Sequence, residues 1–446
     1  MEKEEALKNI LIPRTGDTVY YGDASSGVGY ELGMPINADK GGQESSSGGE
    51  GTVYRASGGQ AFKIYKKEHL NAQTIDKITA MVNKKPNLSD NICWPQQLLF
   101  ESSKLRIPVG FSMKNIKSEL EEIPTLDKLI SAKEYFVKQW GWTRLSFVRV
   151  CIKIAETFLQ LHKNGILMGD VNTKNILVGK SCNVFFIDVD SYQFDEFLCP
   201  VGTPEFASPR IHSLGGQYGV IKRTEDDERF AIAMLIYRIL FFNAMPFYPN
   251  DFDVKNAIIN HHFRFEDDNC TAGDVLIWKN LTPDLRKTFS DAFLKGKYVD
   301  ESVWISQLND LYTCIDAGYL SNELSPTAAI ENEQFKIKKF KKVACVRCGA
   351  SIELPQDAAE KAELCSSCKE IKKNNNRRIF RVNCKKCKKA FTLNPWDSGE
   401  IDTDDCLCPD CDENSTLTFN LEEDNLKKVF AFAMENLKPE QEEDII

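Results

Sequence analysis

The sequence predicts an α+β fold in which a strand-rich lobe precedes a helical lobe, with small cysteine-rich modules after both. Short apolar runs separated by glycine-rich turns fill residues 41–113, a pattern typical of strands. Long apolar-periodic segments follow at Leu145–Asn164 and Arg229–Phe242, and this period is typical of core helices. Nine of the 15 cysteines lie between Cys345 and Cys411, which indicates metal-binding modules.

The bulk composition limits the number of domains and the class of protein. A chain of 446 residues, of which 42% are hydrophobic, is long enough for two or three domains. Its formal net charge of −9 argues against a protein built wholly to bind nucleic acid. Because no apolar run is long enough to span a bilayer and the start at Met1–Glu5 is charged, we expect a cytoplasmic protein with no membrane partner.

The strand-rich lobe is expected to contain one helix. An apolar stripe runs through Asn71–Asn83, and the sequence Lys84-Lys85-Pro86 follows it, as expected where a helix stops. The strands of this lobe are predicted at Thr18–Tyr21, Thr52–Arg55, Gln60–Tyr65, Ile92–Glu101 and Leu105–Met113.

The helical lobe is expected to end near residue 318. Its longest helix, Leu145–Asn164, stops at Gly165. The segment Arg229–Phe242 is apolar on nearly every face, which predicts a buried helix. Two further helices are predicted at Asp284–Leu294 and Val303–Thr313.

A glycine-rich loop and a lysine in the first lobe form a candidate phosphate site. Gly48 and Gly51 keep two of the three glycines of the pattern G-x-G-x-x-G-x-V, and Gly49 adds another. Glycine permits the close backbone approach that phosphates need. Lys63 follows Gly51 by 12 residues in a predicted strand. Alone, the loop is typical of a flexible turn and Lys63 of a solvated strand, but together they favour nucleotide binding.

Three polar residues in the second lobe are spaced for phosphoryl transfer. Asp170 and Asn175 lie five residues apart, and Asp188 follows Asn175 by 13 residues. The apolar runs Ile176–Val178 and Val184–Ile187 between them predict a β-hairpin. In such an arrangement the first acid accepts a hydroxyl proton, while the amide and the second acid hold Mg²⁺ against the phosphates.

At these residues the chain resembles the eukaryotic-like protein kinase superfamily. The likeness covers about residues 41–318, and Gly202–Arg210 is similar to the end of an activation segment. The sequences Gly-Gly-Glu-Gly-Thr-Val-Tyr, Met-Gly-Asp-Val-Asn-x-x-Asn-Ile-Leu-Val and Ile-Asp-Val-Asp-Ser-Tyr are most similar to bacterial YegI-like Ser/Thr kinases. Some kinases of the group that this chain resembles are associated with gene clusters of the tellurite-resistance type.

The resemblance implies a two-lobed protein kinase fold and a role for each matching residue. It implies that Lys63 orients the α- and β-phosphates of ATP and that Asp170 is the catalytic base. Thr203 is expected to hydrogen-bond Asp170, and Asn175 and Asp188 to hold Mg²⁺ or Mn²⁺. The residues implied to contact the nucleotide, besides Lys63, are Gly48, Gly49, Gly51, Val53 and Ala61.

The chain departs from the usual kinase pattern around the activation segment. Met168-Gly169 replaces the His-Arg that precedes the catalytic acid. Without that arginine an activation-segment phosphate has no usual guanidinium partner, so we expect activity without such a phosphate. Asp190 replaces the glycine of Asp-Phe-Gly, and Arg210 replaces the final glutamate, with Asp300 or Glu301 as candidate partners.

Two further features of the usual kinase site are altered. The predicted helix Asn71–Asn83 has no glutamate to pair with Lys63. Asp76 substitutes, or Glu68 does, or Lys63 is unpaired. The usual lysine two residues after the catalytic acid is Asn172. These departures leave open two alternatives to an active kinase, namely an ATP-binding pseudokinase scaffold and a zinc-ribbon nucleic-acid-binding protein with a degenerate kinase domain.

The cysteine-rich region predicts two structural zinc sites. Its CxxC pairs are separated by 16 residues in the first module and 20 in the second, which suits tetrahedral Cys₄ zinc ribbons. Buried reduced cysteines and redox-active pairs are the alternatives, and Cys406 is left over. The expected ligands are Cys345, Cys348, Cys365 and Cys368 for one Zn²⁺ and Cys384, Cys387, Cys408 and Cys411 for the other.

Charge is divided unevenly across this region. Lys336–Lys389 holds 17 Lys/Arg against 5 Asp/Glu, while Asp397–Ile446 holds 16 Asp/Glu against 3 Lys/Arg. We expect the ribbons to dock a protein partner or substrate, with nucleic acid or the kinase lobe as alternatives. The resemblance also suggests a von Willebrand A-domain protein and a PP2C-type phosphatase as partners.

The expected organisation therefore has six parts. These are an N-terminal extension (1–40), a kinase domain (41–318, with lobes 41–115 and 116–318), a basic linker (319–342), two zinc ribbons (343–370 and 381–413) and an acidic tail (414–446).

Overall fold

The computed structural model describes most of the chain up to residue 326 and parts of the cysteine-rich region. The described residues are 7, 9–22, 28–36, 49–56, 58–102, 107–116, 123–247, 253–265, 270–326, 340–345, 349, 351–355, 364, 368 and 380–393. Several predictions fall outside them, namely those for Gly48, Cys348, Cys365, Cys406, Cys408, Cys411 and residues 414–446.

A six-stranded antiparallel sheet forms the strand-rich lobe, in the order β2-β1-β5-β6-β4-β3. Val19, Phe62, Ile64, Leu99 and Phe111 bury their side chains on the sheet, which holds these strands together as a core. The strands are β1 (Thr18–Tyr21), β2 (Val28–Glu31), β3 (Gly51–Arg55), β4 (Gln60–Tyr65), β5 (Gln97–Phe100) and β6 (Pro108–Lys114).

The sheet differs from the sequence prediction in two places. Strands β1 and β2 join it, with Tyr20 opposite Phe100, so the sheet extends into the segment assigned to an N-terminal extension. Strand β5 is shorter than the predicted Ile92–Glu101, because the amide of Cys93 instead donates to the carbonyl of Phe186 at 3.0 Å. The domain boundary at residue 41 stays a prediction.

One helix, α1 (Ala72–Lys84), packs on this sheet as predicted. The side chain of Asn71 accepts a hydrogen bond from the amide of Thr74 at 2.9 Å and caps the helix. Ile78 and Met81 are fully buried. Lys85 adopts a left-handed conformation (φ 43°), which ends the helix before Pro86.

The second lobe contains nine α-helices among the residues that the structure describes up to residue 326. They are α2 (Leu126–Ser131), α3 (Lys133–Trp140), α4 (Arg144–Lys163), α5 (Pro209–Ser213), α6 (Glu225–Leu240), α7 (Val254–Ile259), α8 (Ala272–Lys279), α9 (Pro283–Lys295) and α10 (Glu301–Asp316). The predicted long helices are confirmed. None of the helices in the described ranges is long and apolar enough to cross a membrane.

Helix α6 begins four residues before its predicted start at Arg229. Thr224 and Asp227 form a capping box, with the amide of Thr224 donating to Asp227 at 2.8 Å. The first turn, Glu225–Glu228, is entirely acidic. Acidic side chains stabilise the positive end of a helix, but they lack the apolar period from which the helix was predicted.

Short strands position the two segments that carry the candidate site residues of the second lobe. Strand β7 (Ile166–Leu167) pairs with β10 (Gln193–Phe194), and β8 (Ile176–Val178) pairs with β9 (Val184–Phe186) in the predicted hairpin. The loop between β7 and β8, Met168–Asn175, is called the catalytic loop below. The segment Asp188–Arg210 after β9 is called the activation segment.

The chain divides into two compact units, Met1–Ser366 and Ser367–Ile446. In the first unit the hairpin of β11 (Phe340–Ala344) and β12 (Ser351–Pro355) lies against α10, and Ile352 is fully buried. In the second unit β13 (Phe380–Asn383) pairs with β14 (Ala390–Leu393).

Candidate active site

A cavity of about 460 Å³ lies where the sheet, the catalytic loop and the activation segment meet. Its lining combines apolar and charged side chains, as nucleotide sites do. The apolar residues include Val53, Ala61, Met113, Ile116, Leu177 and Ile187. The polar residues are Glu50, Lys63, Asp170, Asn175, Asp188 and Asp190, with Thr52, Lys114 and Asn115 beside them.

The carboxylate of Asp170 is held from both sides. Its Oδ1 accepts the hydroxyl of Thr203 at 2.9 Å, so the expected hydrogen bond is present. Its Oδ2 accepts the side-chain amide of Asn172 at 2.9 Å and that of Asn175 at 3.4 Å. These contacts fix the orientation of a carboxylate that stays half-buried at the cavity.

Asn172 also closes the catalytic loop on itself. Its side-chain oxygen accepts the amides of Lys174 at 2.8 Å and Asn175 at 3.1 Å. Short polar side chains commonly stabilise turns in this way. The residue that replaces the usual lysine therefore contributes loop geometry in place of a charge.

A buried acid from α6 anchors the same loop from below. The carboxylate of Glu228 accepts the amides of Gly169 at 2.8 Å and Met168 at 3.2 Å. His162 of α4 lies 2.7 Å from Glu228 and 3.1 Å from Glu301. Burial alone would lower the pKa of His162, but the two glutamates outweigh it and raise that pKa to about 10.

Sequence reasoning missed this anchor. The predicted helix began at Arg229, so Glu228 was given no role, and His162 lies in the last turn of an apolar helix. The available signal was an acid and a histidine on helices that are apolar and buried, since such groups need a partner.

Lys63 is paired with two acids of the activation segment. Its ammonium group, on a residue 6% exposed, lies 2.8 Å from Asp188 Oδ1 and 2.7 Å from Asp190 Oδ1. The hydroxyl of Tyr65 donates to Asp190 Oδ2. Burial alone would raise the pKa of Asp190, but Lys63 and Tyr65 outweigh it and hold that pKa below its ordinary value.

This pairing corrects the sequence analysis. The three possibilities for Lys63 were Asp76, Glu68 or no partner, and all three were wrong. Asp190 replaces the usual glycine of Asp-Phe-Gly, and it was not among the partners considered for Lys63. The carboxylate reaches Lys63 because residues 189–191 form a short 3₁₀ helix directly after Asp188.

The activation segment is held by a buried arginine that sequence reasoning also missed. Arg223 donates to the carbonyls of Cys199, at 3.2 Å, and Val201. The side chain of Gln193 exchanges two hydrogen bonds with the backbone of Arg223, at 2.8 and 2.9 Å. A Cβ atom at Gly169 would lie 2.8 Å from the Arg223 guanidinium. Arg223 therefore fills the space beside the position of the missing arginine.

The suggested partners of Arg210 were wrong. Arg210 donates to the carboxylate of Asp227, with Nε 3.0 Å from Oδ1. Asp300 and Glu301 instead face Arg229, at 3.6 and 3.4 Å. Arg210 reaches Asp227 because that acid caps α6 directly behind the end of the activation segment.

The described part of the glycine-rich loop shows one position where glycine is required. A Cβ atom at Gly51 would lie 2.5 Å from the carbonyl oxygen of Ile64. At Gly49 a Cβ atom would meet nothing within 4 Å. The roles assigned to these residues and to the rest of the site stay predictions.

Two cysteine knuckles have the same local structure. The amide of Gly349 donates to the carbonyl of Cys345 at 2.9 Å, and the amide of Lys388 donates to that of Cys384 at 2.8 Å. Both Gly349 (φ 75°) and Lys388 (φ 62°) are left-handed. The amide of Cys387 also points at the Cys384 sulfur, 3.5 Å away. Within the described ranges no group of three or more His, Cys, Asp or Glu is placed to hold a metal ion.

Three curated relatives are kinases by name. Protein kinase YegI of Escherichia coli K12 is 30% identical over 294 residues, which cover 60% of this chain and 44% of the relative. Its counterpart in Escherichia coli O157:H7 is 29% identical over 237 residues, covering 50% and 35%. Human NUAK family SNF1-like kinase 1 is 32% identical over 220 residues, covering 45% and 32%. The chain thus spans less than half the length of these relatives.

No protein-family model matches the chain. A solved structure, the ROP18 kinase domain in complex with AMP-PNP and sucrose, aligns with a TM-score of 0.45 at 13% identity, covering 69% of this chain and 87% of that one. The aligned part of this chain is therefore similar to part of several proteins that are named as kinases.

Proposed function

We propose that this protein transfers the γ-phosphate of ATP to serine or threonine hydroxyls of a protein substrate, with Mg²⁺ or Mn²⁺. The observation that carries the proposal is one cavity lined by Lys63, Asp170, Asn175 and Asp188. An ammonium for phosphates, an oriented base, and an amide and acid for a cation are the groups that this reaction uses. The named kinase relatives support the same reaction class.

The lining fits ATP and a divalent cation. The apolar side chains of the cavity suit the adenine ring, and Lys63 suits the phosphates. The side-chain nitrogen of Asn175 faces Asp170, which leaves its oxygen for a cation. The side chain of Asp188 is 46% exposed and offers a hard carboxylate oxygen. When bound, the cation neutralises phosphate charge.

The residues of this chain then perform the proton and positioning steps. Asp170 accepts the proton of the substrate hydroxyl. At the same time the hydroxyl oxygen bonds to the γ-phosphorus of ATP, and the bond from that phosphorus to the oxygen of ADP breaks. Thr203 and Asn172 hold the carboxylate that receives the proton. Thr203 also belongs to Gly202–Arg210, which we propose as the surface that docks the substrate chain.

We further propose that the cysteine-rich region binds two structural Zn²⁺ ions and docks a protein partner. The support is the pair of matching knuckles at Cys345 and Cys384, in which both thiols are buried. Closed Cys₄ sites stabilise small modules and leave no open position for catalysis. A von Willebrand A-domain protein and a PP2C-type phosphatase are the proposed partners, on the resemblance alone.

The test is transfer of labelled γ-phosphate to a generic protein substrate, followed by phosphoamino acid analysis. Wild type is expected to place label on serine and threonine, and Asp170→Asn to lose about 10²–10⁴-fold of the rate. Asp195→Asn, at an exposed acid of the activation segment that does not line the cavity, is the matched control. Label on tyrosine alone would overturn the serine/threonine assignment. No transfer by a wild type that binds ATP would show a pseudokinase scaffold.

A further inference from the structure

The two carboxylates that form ion pairs with Lys63 come from the activation segment and not from α1. Asp190, 7% exposed, places both carboxylate oxygens on the Lys63 ammonium, at 2.7 and 2.8 Å. Asp188 contributes one oxygen at 2.8 Å. Because Asp188 is the acid proposed to hold the cation, Asp190 is the partner that remains when nucleotide and cation are bound. We infer that Asp190 is the positioning residue for the phosphate-binding lysine.

Tyr65 completes this arrangement from the sheet. It lies two residues after Lys63 on β4, is 2% exposed, and donates its hydroxyl to Asp190 Oδ2. An ion pair that is both buried and hydrogen-bonded keeps one geometry. Lys63 therefore contacts both oxygens of the Asp190 carboxylate and Tyr65 contacts one of them, so the lysine is held in place before nucleotide binds.

Helix α1 presents a lysine in this region where the kinase resemblance leads one to expect an acid. Lys77 is 8% exposed and its ammonium lies 3.4 Å from the carbonyl of Leu198. Lys84, two turns later, pairs with Asp195 at 2.8 Å. Both lysines therefore connect α1 to the activation segment. Neither of the two acids that pair with Lys63 comes from α1.

The consequence is a change in what controls the lysine. The Lys63 pair depends on residues 188–190 and on β4, so it does not require α1 to move toward the site. Since Asp188 and Asp190 flank a single residue, the group for the cation and the group for the lysine are set by one backbone segment. This inference rests on the proposed function for its catalytic consequence but not for its geometry.

The test compares Asp190→Asn with Asp76→Asn, which removes the acid of α1. Asp190→Asn is expected to lower kcat/KM for ATP by about 10²-fold, through both a higher KM and a lower kcat. Asp76→Asn is expected to stay within about twofold of wild type. The inference is overturned if Asp190→Asn matches wild type, or if Asp76→Asn carries the loss.

Two additions keep the result interpretable. Tyr65→Phe removes one hydroxyl and is expected to fold and to lose about tenfold of kcat/KM for ATP, so it carries the test if Asp190→Asn does not fold. Binding of ATP and of adenosine is measured on the same proteins. Asp190→Asn is expected to weaken ATP and spare adenosine, because only phosphates contact Lys63.

This binding comparison separates the two proposals. If wild type transfers no phosphate but Asp190→Asn still selectively weakens ATP, the proposed function fails and the role of Asp190 stands. If ATP and adenosine weaken equally, or neither weakens, Asp190 does not position Lys63 and the inference fails whatever the transfer assay shows.

Discussion

Gly169 shows how one position decides the packing of the catalytic loop against the activation segment. It is left-handed (φ 74°), and an added Cβ would lie 2.6 Å from Cys199 Cβ and 2.8 Å from the Arg223 guanidinium. An arginine side chain, as in the usual kinase pattern, has no room here. Arg223 occupies that space and donates hydrogen bonds to the carbonyls of Cys199 and Val201 in the activation segment.

Gly169→Ala tests this packing. We expect a loss of about 2–4 kcal/mol in the free energy of unfolding, because left-handed strain is added to a clash with atoms that have little freedom. Transfer activity is expected to fall as well, since Asp170 follows directly. Urea unfolding and the transfer assay measure the two effects.

Gly165→Ala is the matched control for that change. Gly165 is also left-handed (φ 65°), but a Cβ there meets nothing within 4 Å. We expect a loss of about 1–2 kcal/mol from strain alone and unchanged transfer activity. Equal losses of stability and activity in both variants would contradict the account of Gly169.

At the scale of elements, three helices meet at one buried charge cluster under the catalytic loop. His162 lies in the last turn of α4, Glu228 lies in the first turn of α6, and Glu301 is the first residue of α10, with Arg229 also facing Glu301. The cluster thus ties the ends of three helices to the amides of Met168 and Gly169. A charged His162 balances acids that would otherwise repel each other.

The cluster predicts a pH dependence of stability. The folded pKa of His162, about 10, lies above the ordinary 6.5, so its contribution is complete below about pH 6.5 and is lost as pH rises toward 10. We expect the free energy of unfolding of wild type to fall by roughly 3–5 kcal/mol over that window. Denaturant unfolding at a series of pH values measures it.

The controls for this prediction are two glutamine variants. His162→Gln is expected to lose stability at pH 7 and to show a flatter dependence between pH 7 and 10. His212→Gln is expected to keep the wild-type slope, because burial lowers the pKa of His212 and it does not titrate in this window. A wild-type slope in His162→Gln would contradict the assignment.

The elements also show what sequence could and could not predict. The hydrophobic periodicity predicted β4, α1 and α4. The sequence spacing predicted that Lys63, Asp170, Asn175 and Asp188 act together, and all four line one cavity. The partners of these residues were beyond reach, because each is set by a tertiary contact: Glu228 meets the catalytic loop from 59 residues away, and Asp190 meets Lys63 from 127 residues away. The type of residue at a single position does not reveal which distant residue it contacts in the folded protein.

At the scale of the whole molecule, the first cysteine-rich hairpin is part of the compact unit that contains the candidate active site. Strand β12 lies against α10, the helix whose first residue, Glu301, faces His162. Of the three docking alternatives, the intramolecular one therefore has a structural basis for this hairpin. The protein partners proposed for this region would bind surfaces of the two modules other than the one that packs on α10.

Metal removal tests the zinc proposal on the full chain. We expect two Zn²⁺ per purified chain by elemental analysis, because eight CxxC thiols are present. A chelator that strips them is expected to lower the melting temperature by several degrees, since a small module has little core without its metal. A chain that is free of zinc as purified and does not bind it on addition would contradict the proposal.

The proposed catalytic site is held in place by side chains of this chain, without a phosphate on the activation segment, and this is the central claim. The direct measurement is single-turnover transfer of γ-phosphate by full-length protein that mass spectrometry shows to be free of phosphate, with Asp170→Asn beside it. We predict transfer by the unphosphorylated wild type from the first turnover, and near wild-type ATP binding but almost no transfer by Asp170→Asn. Transfer that begins only after a phosphate is added to the activation segment, or that persists in Asp170→Asn, would contradict it.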